Sequence, residues 1–208
     1  MQVLHIDSSI LGDASASRIL TAAIVDTLRS ENPGATVVRR DLAVEAIPHL
    51  DGAIAAGFRA TGADGFDDAT RAEHARSEAL VNELLASDVI VVGAPMYNFS
   101  VPSQLKAWID RVAQAGRTFK YSETGPVGLA GGKKVIVAST RGGMYSAGPA
   151  VAMDFQEAYL KTVFGFFGIT DVQFVRAERL GMGPDARTQA MEAAHAAMRD
   201  VVNQAVAA

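Results

Sequence analysis

Hydroxyl side chains are concentrated in a short loop directly ahead of an amphipathic segment that carries Leu20, Ile24 and Leu28 at helical spacing. Loop hydroxyls and the free N–H groups of a starting helix would meet there, at the positive end of the helix dipole. This arrangement is typical of a phosphate-binding site. The alternative is a plain serine N-cap, which is common. Arg18 either complements the charge of a bound phosphate or is solvated. The loop residues are Ser8, Ser9, Gly12, Ser15 and Ser17.

Two later loops have compositions that suit a flat aromatic ligand. The first places aromatic and thioether groups and one amide beyond an apolar run, outside helical spacing, although such residues also occur in cores. The second, Thr140 to Ala150, contains adjacent glycines whose backbone N–H groups can approach a ligand closely, and flexibility alone is the other explanation. The residues concerned are Pro95, Met96, Tyr97, Asn98 and Phe99 in the first loop, and Thr140, Arg141, Gly142, Gly143 and Met144 in the second.

The elements that must position these loops alternate between strand and helix. Apolar runs rich in β-branched residues predict strands, and segments such as Leu105, Trp108, Ile109 and Val112 between them have helical periodicity. Short strands that are apolar throughout suit a parallel sheet that is covered on both faces. The predicted strands are Val3 to Asp7, Thr36 to Leu42, Asp88 to Ala94, Lys134 to Thr140 and Asp171 to Arg179, and Ala43 to Thr70 is predicted to be a surface excursion.

We therefore predict a single α/β domain over residues 1–208, with a doubly wound five-stranded parallel sheet of the flavodoxin-like order 2-1-3-4-5 and helices on both faces. Ligands of such sheets bind at the carboxyl ends of the strands, where the winding reverses. The three loops follow the first, third and fourth strands, so they meet at that end. Together the loops offer groups that can bind a phosphate, stack on an aromatic ring and donate backbone hydrogen bonds. This combination matches flavin mononucleotide (FMN).

Composition excludes several other classes of function. The 208 residues are 49% hydrophobic and 20% charged, with a formal net charge of −4, which leaves no basic face for nucleic acid. No segment approaches the roughly 20 apolar residues of a membrane span, and the start resembles no export signal, so a cytoplasmic protein is expected. The sequence has no cysteine, which excludes thiol catalysis.

The segments Ala94–Ser100 (APMYNFS), Ser139–Gly143 (STRGG) and Phe164–Asp171 (FGFFGITD), together with Lys133 and Lys134, resemble the FMN-dependent NADH azoreductase family over nearly the whole chain. The resemblance implies an NADH- or NADPH-driven enzyme that reduces quinones to hydroquinones and cleaves azo compounds to amines. It also implies that FMN is held by Ser9, Ser15, Ala16 and Ser17 at its phosphate and by Pro95 to Phe99 and Thr140 to Gly143 at its ring, with a substrate pocket at Phe119, Tyr121, Met144 and Phe164.

The resemblance further implies a homodimer in which an aromatic wall near Val163 and Phe164 comes from the partner subunit. No His, Glu or Cys converges on the loops, so the cofactor would carry the chemistry in a ping-pong scheme, with no catalytic side chain. A flavodoxin-type electron carrier and a flavin or chromate reductase remain the alternatives. The mild charge and the serine-rich loop argue against the electron carrier.

Other motifs in the sequence do not support a function. Gly181 to Ala186 fits the dinucleotide fingerprint G-x-G-x-x-A, but no strand with a ribose-binding acid follows it. Gly128 to Lys134 resembles a P-loop but lacks its Ser or Thr and precedes a strand. The four histidines are scattered without metal-ligand spacing, so no metal site is predicted.

Overall fold

A parallel sheet forms the centre of the computed structural model, which describes residues 1–58 and 65–206. In this sheet the first strand of the chain lies between the second and the third, and the last two strands of the chain follow beside the third. The predicted order 2-1-3-4-5 is therefore confirmed. The strands in chain order are β1 (Gln2–Asp7), β2 (Thr36–Asp41), β3 (Val89–Pro95), β4 (Phe119–Ser122), β5 (Gly125–Gly128), β6 (Lys134–Thr140) and β7 (Asp171–Ala177).

Helices cover both faces of this sheet, because successive residues of each inner strand point to opposite sides and both sides are apolar. Ile90 and Val92 of β3 belong to one core, and Val89 and Val91 belong to the other. The helices are α1 (Ala16–Glu31), α2 (Gly52–Gly57), α3 (Asp68–Ala86), α4 (Ser103–Val112), α5 (Glu157–Phe166) and α6 (Pro184–Val206). The first core is shared with α3, α4 and α5, and the second with α1 and α6.

Several details differ from the sequence-based expectation. The antiparallel hairpin of β4 and β5 was not predicted, because its strands are short and largely exposed. The last strand ends at Ala177, two residues before the predicted boundary at Arg179. The segment Ala43 to Thr70 contains the helix α2, capped by Asp51 at the Ile54 N–H, so the prediction of no regular element there was wrong for this part. Residues 59–64 of the segment lie outside the described residues.

Within residues 1–58 and 65–206, no helix is both long and apolar enough to cross a bilayer. The same residues contain no cluster of three or more His, Asp or Glu side chains placed to hold a metal ion.

Candidate functional site

The serine loop after β1 leads into the N-terminus of α1 with its hydroxyls buried. Ser15 caps the helix by accepting the Arg18 N–H at 3.4 Å, and its hydroxyl lies 3.0 Å from that of Ser17. The backbone N–H groups of Ala16 and Ser17 have no acceptor among the described residues. Two unpaired donors therefore sit at the positive end of a 16-residue helix, which is the environment that an anion requires.

The aromatic loop after β3 forms a tight turn that is tied to the serine loop. Tyr97 and Ser100 exchange backbone hydrogen bonds of 3.0 and 3.1 Å, and the residues between them have positive φ, 49° at Asn98 and 71° at Phe99. The left-handed region is unfavourable for a side chain as large as Phe99, and strained backbone of this kind is common at binding sites. The Tyr97 hydroxyl accepts the Ile10 N–H at 3.2 Å and so connects the two loops.

The glycine loop after β6 presents its backbone N–H groups in one direction. The carbonyls of Arg141, Gly142 and Gly143 accept hydrogen bonds from the N–H groups of Leu180, Gly181 and Arg179 at 3.1, 3.0 and 2.8 Å. In a trans peptide the N–H points away from the carbonyl, so the N–H groups of Gly142 and Gly143 face away from the segment at residues 179–181. Neither N–H has an acceptor within the described part of the chain.

The Arg141 side chain does not reach this open side. Its guanidinium is 0% exposed and pairs with Asp154 at 2.9 Å, Glu157 at 2.5 Å and Glu178 at 3.2 Å. Burial alone would raise the pKa of Glu178, but hydrogen bonds from Ser146, Tyr145 and Arg141 lower it below its ordinary value. The Arg141 side chain therefore holds the loop from beneath, and only its backbone is available to a ligand.

The three loops enclose two adjoining cavities that share Met96 and Gly142. One has a volume of about 210 Å³ and lies at the serine loop, and the other, of about 290 Å³, lies between the aromatic and glycine loops. Ser17 is the one predicted cofactor residue that lines neither, because its hydroxyl is directed at Ser15. The first cavity is lined by Ser9, Ser15, Ala16, Pro95, Met96, Tyr97, Thr140, Arg141 and Gly142 among others, and the second by Asn98, Phe99, Gly143 and Tyr145 as well as the shared residues.

Arg187 places a guanidinium at the first cavity, and sequence reasoning did not identify it. Arg187 lines the first cavity and donates to the Ala14 carbonyl at 3.3 Å, because α6 packs beside α1. The Arg18 guanidinium donates to the Ser9 carbonyl at 3.0 Å and forms a two-pronged ion pair with Asp41, and it does not line this cavity. These hydrogen bonds raise the pKa of Arg18 and lower that of Asp41. Arg187 is therefore the guanidinium that faces the cavity.

The four residues predicted for a substrate pocket do not come together in one protomer. Phe164 is 0% exposed and packs from α5 into the core, so it does not line a cavity of the isolated chain, and its place in a substrate pocket stays a prediction. Phe119 is buried against Phe166, with ring centroids 4.3 Å apart. Tyr121 is 74% exposed on the hairpin, and Met144 lines a separate groove beside the glycine loop.

A parallel sheet with free N–H donors at a helix N-terminus and an adjoining cleft at the carboxyl ends of its strands is the arrangement found in mononucleotide-binding α/β proteins. A family model described as flavodoxin-like fold matches residues 1–202. The chain is 90% identical over 208 residues to a protein of Ralstonia nicotianae named FMN-dependent NADH:quinone oxidoreductase, covering 100% of both chains. A protein of Xanthomonas euvesicatoria named FMN-dependent NADH:quinone oxidoreductase 2 is 58% identical over 202 residues, covering 97% of this chain and 94% of the other.

Among solved structures, an azoreductase from Bacillus anthracis superimposes with a TM-score of 0.88 at 31% identity, covering 98% of this chain and 99% of that one. The chain belongs to the flavodoxin-like fold family and, within it, to the FMN-dependent NADH:quinone oxidoreductases.

Proposed function

We propose that this single-domain protein binds FMN and uses NADH to reduce quinones to hydroquinones and to cleave azo compounds to amines. The relatives named for NADH:quinone oxidoreduction and the azoreductase structure support the proposal. The main observation in its favour is the pair of adjoining cavities at one end of the sheet. One lies at the serine loop, where free N–H groups can bind an anion, and the other lies beside the backbone N–H groups of the glycine loop.

The residues present fit FMN at both of its ends. A monophosphate would take the free N–H groups of Ala16 and Ser17 and the charge of Arg187. A planar ring would lie along Met96 and the glycine loop. A Cβ built on Gly142 meets no protein atom within 4 Å, so the space that a side chain would take there is open for a ligand.

FMN would supply the exchange of two electrons, and the protein would supply orientation. The lining residues of the two cavities include no His, Cys, Asp or Glu. The N–H groups of Gly142 and Gly143 and the Asn98 amide would stabilise negative charge at polar ring atoms, as an oxyanion hole does. We propose that donor and acceptor occupy the same open face in turn, which requires ping-pong kinetics.

We further propose a homodimer that completes the open cavity. Phe99 and Phe155 are 44% and 61% exposed and are joined through the Phe155 N–H and the Phe99 carbonyl at 3.1 Å. Val151 and Met153 add exposed apolar surface to the same segment, and apolar surface of this kind favours burial by a partner. A sedimentation measurement that finds a fully active monomer at micromolar concentration would contradict the dimer.

Gly142→Val tests the proposed site directly. The added side chain meets open space and the φ of Gly142 is not left-handed, so the variant should fold with an unchanged melting temperature. It should nevertheless bind FMN at least roughly 10-fold more weakly, because its methyl groups fill the ring space. Gly34→Val, at a surface turn where a Cβ also meets nothing, is the matched control.

The activity is measured as NADH oxidation with benzoquinone and with an azo dye, before and after loading with FMN. Parallel double-reciprocal lines at varied acceptor concentration support the ping-pong proposal, and intersecting lines exclude it. An electron carrier would instead show negligible turnover with either acceptor. Normal FMN binding by Gly142→Val would place the cofactor elsewhere on the molecule.

A further inference from the structure

A groove of about 530 Å³ begins where the glycine loop ends and is outside the two cavities of the proposed flavin site. Met144, one residue beyond Gly143, lines it, as does Met182, one residue beyond Gly181. Both methionine side chains are exposed and offer soft apolar surface to an aromatic ring. The groove therefore begins beside the glycine loop, at Met144 and Met182.

Arg179 occupies the junction between the groove and the glycine loop in a strained conformation. Its φ is 65°, in the left-handed region, and its N–H donates to the Gly143 carbonyl at 2.8 Å. The backbone bond alone could be made by glycine, which adopts this conformation without strain. An arginine at such a position indicates that its side chain has a function that offsets the strain.

The Arg179 guanidinium is an unpaired cation as far as the described residues show. It forms no ion pair and no side-chain hydrogen bond with residues 1–58 or 65–206, although it lines the groove. The other charged groups nearby are engaged or acidic: Arg176 pairs with Glu157, Glu178 accepts from the Ser146 hydroxyl, and Asp185 lies in the first turn of α6. Arg179 is therefore the group in this groove that is available to an anion.

We propose that this groove binds the adenosine diphosphate part of the NADH donor, with Arg179 holding the diphosphate. The inference rests on the proposed function. The diphosphate carries the only charges of NADH, and guanidinium groups bind phosphate oxygens in a two-pronged manner. With the nicotinamide on the ring face beside Gly143, the diphosphate would follow at Arg179 and the adenine would pack between Met144 and Met182. Recognition would come from a side chain and not from the glycine-rich turn of a dinucleotide fingerprint.

Replacement of Arg179 separates this role from a structural one. Arg179→Gly removes the cation and also the left-handed strain, so the variant should melt at a temperature no lower than the original protein. Its kcat/KM for NADH should fall by roughly 10- to 100-fold, the usual effect of losing a charged hydrogen bond. Arg179→Lys keeps the charge and should retain most of the activity. Arg199→Ala, on the exposed face of α6, is the matched control for the loss of one positive charge.

The experiment compares NADH with reduced nicotinamide riboside, which has the same reacting ring and no diphosphate, using FMN-loaded protein and neutral benzoquinone. A loss confined to NADH supports the proposal, as does weaker ADP binding to the Arg179→Gly holoprotein in calorimetry. An equal loss with both donors, or unchanged NADH kinetics, overturns it. An effect seen only with an anionic azo dye would assign Arg179 to the acceptor and also overturn it. Should the original protein oxidise neither donor, the proposed function itself fails.

Discussion

Replacing Arg141 tests whether this residue binds the cofactor or supports the glycine loop. The sequence predicts a cofactor contact, whereas the structure places the guanidinium underneath the loop. In Arg141→Met, the carboxylates of Asp154, Glu157 and Glu178 would remain in a buried site, and Arg176 would still pair with Glu157. Removing one partner of a buried ion pair typically costs about 3–5 kcal/mol, since the remaining charge stays desolvated. For a domain of this size the melting temperature should fall by roughly 6–20 °C.

The pH dependence of this loss follows from the carboxylates. In the original protein the pKa of Glu178 is lowered, so its contribution to stability is present above the unfolded value of 4.5 and is lost as the pH falls through the folded value. Without Arg141, one of the hydrogen bonds that lower the pKa of Glu178 is lost, so that pKa rises toward its ordinary value. The difference in unfolding free energy between the two proteins should therefore be largest near neutral pH and shrink as the pH falls toward the carboxylate range.

Chemical denaturation at several pH values measures this difference, and FMN fluorescence quenching measures cofactor affinity on the same samples. If Arg141 supports the loop from beneath, Arg141→Met must have a much lower unfolding free energy than the original protein near neutral pH. The difference between the two proteins must become smaller in acid. A variant of unchanged stability with strongly weakened FMN binding would refute this supporting role and restore Arg141 as a direct ligand. Arg187→Ala serves as the comparison because that guanidinium lines the cavity.

Further predictions concern the anion-binding end of the candidate site, the hairpin, the charges around β1 and the groove beside the glycine loop. Arg187→Ala should weaken FMN binding by roughly 10- to 100-fold in fluorescence titrations, and the effect should diminish at high salt. Gly128→Ala should lower the melting temperature sharply, because its Cβ would lie 2.0 Å from the Gly168 nitrogen. Burial alone would raise the pKa of Asp7, but the side chains of His5, Arg39 and Thr21 lower it to about 2. Its stabilising effect of about 2 kcal/mol is therefore lost as the pH falls from about 4 to about 2, and denaturation of Asp7→Asn should show a flatter acid limb. Asp185→Asn should raise kcat/KM for NADPH relative to NADH, because a carboxylate in the groove repels an additional phosphate.

The sheet was predictable because its inner strands are apolar on both faces and each is followed by a segment whose apolar residues recur at helical spacing. The strand order required a fold-level rule or a resemblance, since periodicity does not say which strands are neighbours. The hairpin escaped prediction because β5 reads Gly125–Gly128 with a proline, a composition typical of turns. Its place is fixed by close packing of Gly128 on Gly168, a contact between distant parts of the chain.

The site was predictable to the extent that its chemistry is local in sequence. Serine hydroxyls at a helix start and paired glycines after a strand can be recognised from neighbouring residues alone. Arg187 could not be found in this way, because it reaches Ala14 across 173 positions. The ion-pair partners of Arg18 and Arg141 escaped prediction for the same reason: these acids, Asp41 and Glu178, are supplied by other strands and loops.

The buried charges explain how a loop with adjacent glycines can act as a rigid donor. Glu178 accepts hydrogen bonds from the backbone N–H groups of Tyr145 and Ser146 at 2.7 and 2.9 Å, while Arg141 ties it to Glu157 on α5. The loop carbonyls are satisfied on the same side, so the N–H groups of Gly142 and Gly143 are oriented before any ligand arrives. Donors that are already oriented stabilise developing charge without reorganising, which is what the proposed flavin site would require from its protein.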